Sequence, residues 1–340
     1  MENIMKLVNK YTYEWNTGLE TFDMKKGCKV VFYWYLLWGP VAIIATQFAQ
    51  FDAIIHRKFS VPTYLPVIDE YSSPYFEILT IIYYIGTVQM GMSFTTLDNI
   101  TLPPMVLSAQ QFQMLGGKLK SIHFTALINI GIVTKENVKL YRDKFFTNYY
   151  KAELEKLYDS KSTIEYLFQC VLTEEQKVMY EKELQKLMLE CVEYHQILTD
   201  CCNEFDQILS PIWLIKSLYA ALNISIGPFY AYTYKDKNPV IAQIMFEYAA
   251  LQTFEYGIFC NYGQHLLEAS DKFRQAAYDS AWYTTNSKFC KKLLLMMILR
   301  SNKSVSINAG KFFSLSMELY SNILQKSFSF FTFMQNMAGE

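Results

Sequence analysis

Near its carboxyl end the chain carries Lys311, Ser314, Glu318, Asn322, Gln325, Ser329, Thr332 and Asn336 inside an otherwise apolar run. At about 100° per residue these side chains fall in one stripe roughly 80° wide. Ile307 is the only apolar residue in the stripe, and Phe313, Leu319, Tyr320, Ile323, Leu324, Phe330 and Phe331 occupy the far side. Two kinds of chemistry call for such a stripe. Ser, Thr, Asn and Gln can hydrogen-bond neighbouring helices in a membrane. Alternatively, several copies can set the stripe around an axis and line an aqueous pore. Unsatisfied polar groups are costly in hydrocarbon, so protein or water must face them. One chain supplies one stripe, so a pore requires an oligomer. Glu318 sits deep in the stripe, where a carboxylate can favour cations or pair with Lys311 or another subunit's lysine.

Other chemistry is harder to find. His56, His123, His195 and His265 are scattered and make no pattern at metal-ligand spacing. No P-loop, GxSxG, HExxH or strand-preceded GxGxxG occurs. Glu247 and Glu255 fall in apolar runs, where a carboxylate is a functional-site candidate by default, although the position of Glu247 also suits the membrane interface. Neither has a paired His, so the sequence does not describe an enzyme and implies no cofactor. The seven cysteines are odd in number, and Cys201–Cys202 is vicinal, so all are expected as reduced thiols. A net charge of −1 gives no footprint for nucleic acid.

The elements that must position the stripe are long helices. The chain is 51% hydrophobic and 19% charged, and its apolar runs sit at about 30–50, 76–97, 212–234, 240–262 and 307–335. Each has the length that spans a bilayer. Lys25, Lys26 and Lys29 precede the first run and place the amino terminus in the cytoplasm. Pro40 is expected to kink that span, and VPTYLPVIDEYSSP and KDKNP are expected outside. Lys272, Arg274, Lys288, Lys291, Lys292 and Arg300 return the chain to the inside before the last helix runs outward. Between about 98 and 209, KAELEKLYDSKSTIEYL and TEEQKVMYEKELQKLMLECVEYHQIL have helical periodicity, and Thr173 to Gln176 predicts a capping box.

The pattern predicts an all-α fold, a polytopic membrane helix bundle with a cytoplasmic helical layer. Its expected parts are a cytoplasmic amino-terminal segment (1–28), two spans with an extracellular loop (29–97) and the cytoplasmic layer (98–209). Two more spans (210–265), a cytoplasmic anchor helix (266–306) and the final span (307–340) follow. Phe48, Leu79, Tyr83, Ile244 and Tyr248 lie toward the outer ends of their spans and suit a small apolar ligand, though core packing accounts better for any single one of them.

CVEYHQIL (191–198), AAYDSAWY (276–283) and LLLMMILRSNKSVSINAGKFFSLSMELYSNILQKSFSFFTF (293–333) together resemble the insect odorant receptor family. LPVIDEYSSPYFEILTIIYY resembles that family's second extracellular loop and the start of its fourth span. The resemblance implies a plasma-membrane receptor that assembles with a shared co-receptor into a heterotetrameric, ligand-gated, non-selective cation channel. It implies a small volatile apolar ligand, a cytoplasmic layer that holds subunits together, and a pore lined by the last helix. On that basis the pore-lining candidates are Glu318, Asn322, Gln325, Ser329, Phe333 and Met337, the last two matching a hydrophobic constriction near the outer end. Tyr278, Trp282 and His195 fall in family motifs and are read as contacts of the cytoplasmic anchor. The family has seven spans and five are counted here. The first resembles the family's third, so the first two have no counterpart, as in a shortened reading frame. The competing readings are a non-channel receptor with a cytosolic partner docked on residues 98–209, and a non-functional fragment.

Overall fold

The computed structural model describes residues 29, 33, 55, 72–132, 172–237, 239–280 and 282–339. The first expected span apart from Tyr33, Pro40 and Phe48 among it, and the stretch KAELEKLYDSKSTIEYL lie outside the described residues. Among the described residues, four long or mid-length helices lead to the last one: α1 (Tyr75–Asn129), α2 (Glu174–Tyr234), α3 (Pro239–Tyr278) and α4 (Lys288–Ser301). A two-stranded antiparallel hairpin, β1 (Asn308–Ala309) and β2 (Phe313–Ser314), precedes α5 (Met317–Gly339). At 1.5 Å per residue, the 61 residues of α2 amount to about 90 Å of helix, some three times the hydrocarbon thickness of a bilayer. One sequence therefore has to serve two environments along a single helix.

Helix α2 starts where expected. The Thr173 amide donates to Gln176 Oε1 (3.0 Å) and the Gln176 amide to Thr173 Oγ1 (3.4 Å), the reciprocal bonds of a capping box. Tyr180, Leu184, Leu187, Met188, Cys191, Tyr194, His195 and Leu198 then recur at three- and four-residue intervals, and all are buried.

The chain divides into two compact units. The first comprises Met1–Met24, Ser108–Asp206 and His265–Ser306. Its core joins Phe112, Leu115, Leu119 and Ile122 of α1 to the buried face of α2, with Phe273 of α3 and Leu294 and Met297 of α4. A Cβ on Gly116 would already lie 3.3 Å from the Ala276 methyl, so glycine lets α1 approach α3 closely. Ser287 caps α4, its Oγ accepting from the Cys290 amide (3.4 Å) and from Gln185 Nε2 (3.1 Å).

The second unit comprises Lys25–Leu107, Gln207–Gln264 and Ile307–Glu340. Here the apolar side chains also point outward. Ile78, Ile81, Ile82 and Ile85 form an exposed stripe on α1, and Ile208, Ile215 and Leu222 recur every seven residues on α2. Exposed helical stripes of this kind require lipid or protein against them. Inside, helices approach through glycine: a Cβ on Gly227 would sit 2.8 Å from Ala249 Cβ, and one on Gly263 only 2.4 Å from the Leu315 carbonyl oxygen.

Among the described residues one helix, α2, meets the length and apolarity of a membrane span by composition alone, with Tyr75–Gly86 a shorter apolar segment. Gln243, Glu247, Gln252, Glu255 and the carboxyl-terminal stripe dilute the apolar runs of α3 and α5. One expectation is corrected, and it concerns the last helix. Lys311, Ser314 and Phe313, assigned to it by periodicity, lie in the hairpin, and the helix starts at Met317. Gly310 and Lys311 have φ of 64° and 63°, and the Phe312 amide donates to the Ala309 carbonyl (3.2 Å), the pattern of a type I′ turn. Ser316 then caps α5, its Oγ accepting from the Leu319 amide (3.2 Å).

Candidate functional site

The stripe begins at Glu318 in the first turn of α5, where a carboxylate suits the helix dipole. Ser327 is the one buried residue among the described positions of α5, and it lies about 180° around the helix from Glu318. Its hydroxyl donates to the Ala221 carbonyl of α2 (3.1 Å). Protein contact is therefore centred on the side opposite the stripe. Leu319, Tyr320, Ile323, Leu324 and Phe331 flank Ser327 and are partly buried, whereas Phe330, expected beside them, is exposed.

On the stripe itself Glu318, Asn322, Gln325, Ser329 and Asn336 are exposed and Thr332 is half-buried. The hydroxyls satisfy themselves on their own helix, Ser329 donating to the Gln325 carbonyl and Thr332 to the Ser329 carbonyl (both 2.9 Å). Ser327, a residue outside the stripe, makes the hydrogen bond from α5 to α2. Among the described residues Glu318 forms no ion pair, with Lys311 or any other cation. Phe333 and Met337, 58% and 62% exposed, stand near the carboxyl end of α5, and Phe330 stacks on Phe333 at 6.5 Å between centroids.

Of the residues expected to meet a ligand, Leu79 and Tyr83 are half-buried one turn apart on α1, and Ile244 and Tyr248 are one turn apart on α3. Phe48 lies outside the described residues. The Tyr248 hydroxyl pairs with that of Tyr219 on α2, a partner the sequence reading did not name. Tyr219 was passed over because an aromatic in an apolar run is indistinguishable from packing until its neighbour across the helices is known.

The structure also gives Glu255 a partner. Lys216 Nζ lies 3.3 Å from Glu255 Oε1, with the two side chains 15% and 14% exposed. The ammonium stands over the Phe259 ring at 4.6 Å and the Trp213 ring at 5.5 Å, and Gln252 Nε2 reaches Glu255 Oε2 (3.4 Å). Glu247 is exposed and accepts from Gln243 (2.8 Å).

In the first unit, His195 is buried, stacked on Phe273 at 4.6 Å, with Ser301 Oγ 3.4 Å from Nε2. His123 Nδ1 meets the Tyr180 hydroxyl (2.5 Å) and Nε2 the Ser280 carbonyl (3.0 Å). A carbonyl only accepts, so Nε2 carries the proton and Nδ1 accepts from Tyr180. Burial pushes both imidazoles down to about 4. Burial likewise raises the Tyr180 phenol, and raises the Cys202 thiol to about 11. These groups are set up to stay neutral and hold the unit together, with no proton to trade near neutral pH. Tyr278 and Trp282, read as anchor contacts, are exposed, as are Phe289, Leu295 and Leu299 on α4.

Long helices with outward apolar stripes, and a last helix with an outward polar stripe, define a multi-pass helical membrane protein. Residues 13–328 match the profile of the 7tm odorant receptor family, and the chain belongs to that family. It is a receptor family, not an enzyme family. The chain is 18% identical over 306 residues to odorant receptor 83a of Drosophila melanogaster, covering 89% of this chain and 66% of that protein. It is 26% identical over 155 residues to odorant receptor 67c of the same species, covering 46% of this chain and 37% of that protein. The chain thus spans from about a third to two thirds of these relatives' length. The insect olfactory receptor OR5 from Machilis hrabei, solved in complex with eugenol, aligns at a TM-score of 0.53 and 10% identity, covering 98% of this chain and 74% of that one. At that identity the likeness shows the fold, an all-helical membrane bundle.

Proposed function

We propose that this chain is the odorant-binding subunit of a heteromeric, odorant-gated, non-selective cation channel in the plasma membrane, with its amino terminus cytoplasmic. The observation that carries the reading is the direction of the stripe. Asn322 and Gln325 face away from the chain's own helices, and in a bilayer their amides need water or another subunit. Copies of α5 around an axis meet that need, with Glu318 favouring cations and Phe333 and Met337 forming an apolar constriction that gates by dewetting. Exposed Tyr278, Trp282, Leu295 and Leu299 supply an apolar surface for assembly with a co-receptor through the cytoplasmic layer. A small volatile apolar ligand would sit among Leu79, Tyr83, Ile244 and Tyr248, with Tyr219 and Tyr248 offering hydroxyls at its edge.

Cysteine labelling tests the reading. With the co-receptor co-expressed, Gln325→Cys and Ser329→Cys should react faster with a small charged thiol reagent than Leu324→Cys, and the reaction should change the current. A thiol must ionise to react, and a dry or lipid-facing contact suppresses ionisation. Equal, slow labelling at all three positions refutes the pore.

A further inference from the structure

The turn ahead of α5 is bound to the middle of α2 at a single residue. The Gly310 amide donates to the Ser210 carbonyl (2.9 Å), and the next amide, Lys311, donates to the Ser210 hydroxyl (3.1 Å). Ser210 is buried. Its neighbour Pro211 lies inside α2 and has no N–H to give, so the Gln207 carbonyl loses its ladder donor about one turn before the docking point. The fit is tight: a Cβ on Gly310 would come within 2.7 Å of the Leu214 side chain. Lys311 holds φ at 63°, a conformation that ordinary residues adopt only when their surroundings impose it. Five residues after Gly310, the Leu315 amide closes the hairpin onto the Ile307 carbonyl (2.8 Å), and Leu315 packs on Gly263 of α3.

We infer that Ser210 is a positioning residue for the last helix. It holds two successive amides of the 309–312 turn, and so sets where α5 begins and which face α5 turns outward. Without it, Ser327 on Ala221 and Tyr320 against Gly257 still tie α5 to α2 and α3, but its entry point is free to rotate. The inference rests on the pore reading, because positioning the stripe matters only if the stripe lines a conduction path. The arrangement also predicts that a tilt of α2 at Pro211 is passed to the start of α5 through these two bonds.

The test uses the full chain co-expressed with the co-receptor, at matched surface expression. Two quantities are read in Ser210→Ala and Ser210→Thr: hydrogen exchange of the peptide covering 308–316, and the rate at which Gln325→Cys is modified by a charged methanethiosulfonate. Ser210→Ala should speed exchange in that peptide by roughly fivefold, the effect of one lost hydrogen bond, and slow modification of Gln325→Cys by a similar factor. Ser210→Thr, which keeps the hydroxyl, should restore both. Ser210→Cys, a weaker acceptor of similar size, should give an intermediate result and replaces Ser210→Ala if that variant does not reach the surface. Lys311→Gly keeps the amide and relieves the turn, so its labelling should match the parent. Unchanged exchange overturns the clamp. Faster exchange with unchanged labelling overturns the positioning role while leaving the pore reading intact. If Gln325→Cys is as slow as Leu324→Cys with Ser210 intact, the pore reading fails and this inference with it.

Discussion

Acid should destabilise the unit containing Ser108–Asp206 and His265–Ser306 through two histidines. Burial holds His123 and His195 at about 4, against an ordinary value of 6.5. At His123 the bond to the Ser280 carbonyl works against burial, and at His195 the charge of Arg300 adds to it while Asp200 opposes. An unfolded chain takes up a proton near 6.5, and the folded one resists until about 4. Stability is therefore full above about pH 6.5 and is lost progressively as pH falls toward 4. At about pH 5 the linkage relation gives a loss of about 2 kcal/mol per histidine. Together they should lower Tm by about 6 °C for a chain of this size. Thermal melts of the detergent-solubilised receptor at about pH 7.5 and pH 5 measure this directly. His195→Phe keeps a ring against Phe273, and His123→Gln keeps groups able to bond Tyr180 and Ser280, so the double variant should fold and lose most of the pH dependence. An acid shift as large in the double variant as in the parent would refute the assignment, as would a parent Tm that does not move.

Glu255→Gln should cost about 3 kcal/mol by leaving the Lys216 ammonium short of a counter-charge in a largely buried site, whereas Lys216→Met with Glu255→Met should come close to the parent; strictly additive losses in a Tm-based double-mutant cycle would show that the pair is not coupled. Gly263→Ala places a methyl about 2.4 Å from the Leu315 backbone oxygen and should cost about 1–3 kcal/mol, read as lower surface yield and Tm, with parent-like behaviour counting against the close α3–hairpin contact. Thr173→Ala should lose about 1 kcal/mol of cap, seen as faster hydrogen exchange confined to the first turn of α2.

Much of this protein is legible in its sequence because helix periodicity and apolar length are local properties. The buried face of α2 from Tyr180 to Leu198, the capping box at Thr173 and the stripe from Glu318 to Asn336 all follow from spacing. Spacing overreached at Lys311 and Ser314, where a 3.6-residue pattern continues across a turn that Gly310 and Ser316 were available to signal. What only the tertiary structure decided is which groups meet across helices. Composition marks Glu255 as a buried acid and cannot say that Lys216, 39 residues earlier, neutralises it. It offers His123 and His195 as scattered histidines, and the packing of four helices makes them neutral struts. Periodicity draws the polar stripe, but the direction it faces is set by Ser327 against Ala221, Tyr320 against Gly257 and the turn held on Ser210. A helix's pattern is written along one chain segment, whereas its rotation relative to its neighbours depends on contacts between residues far apart in the chain.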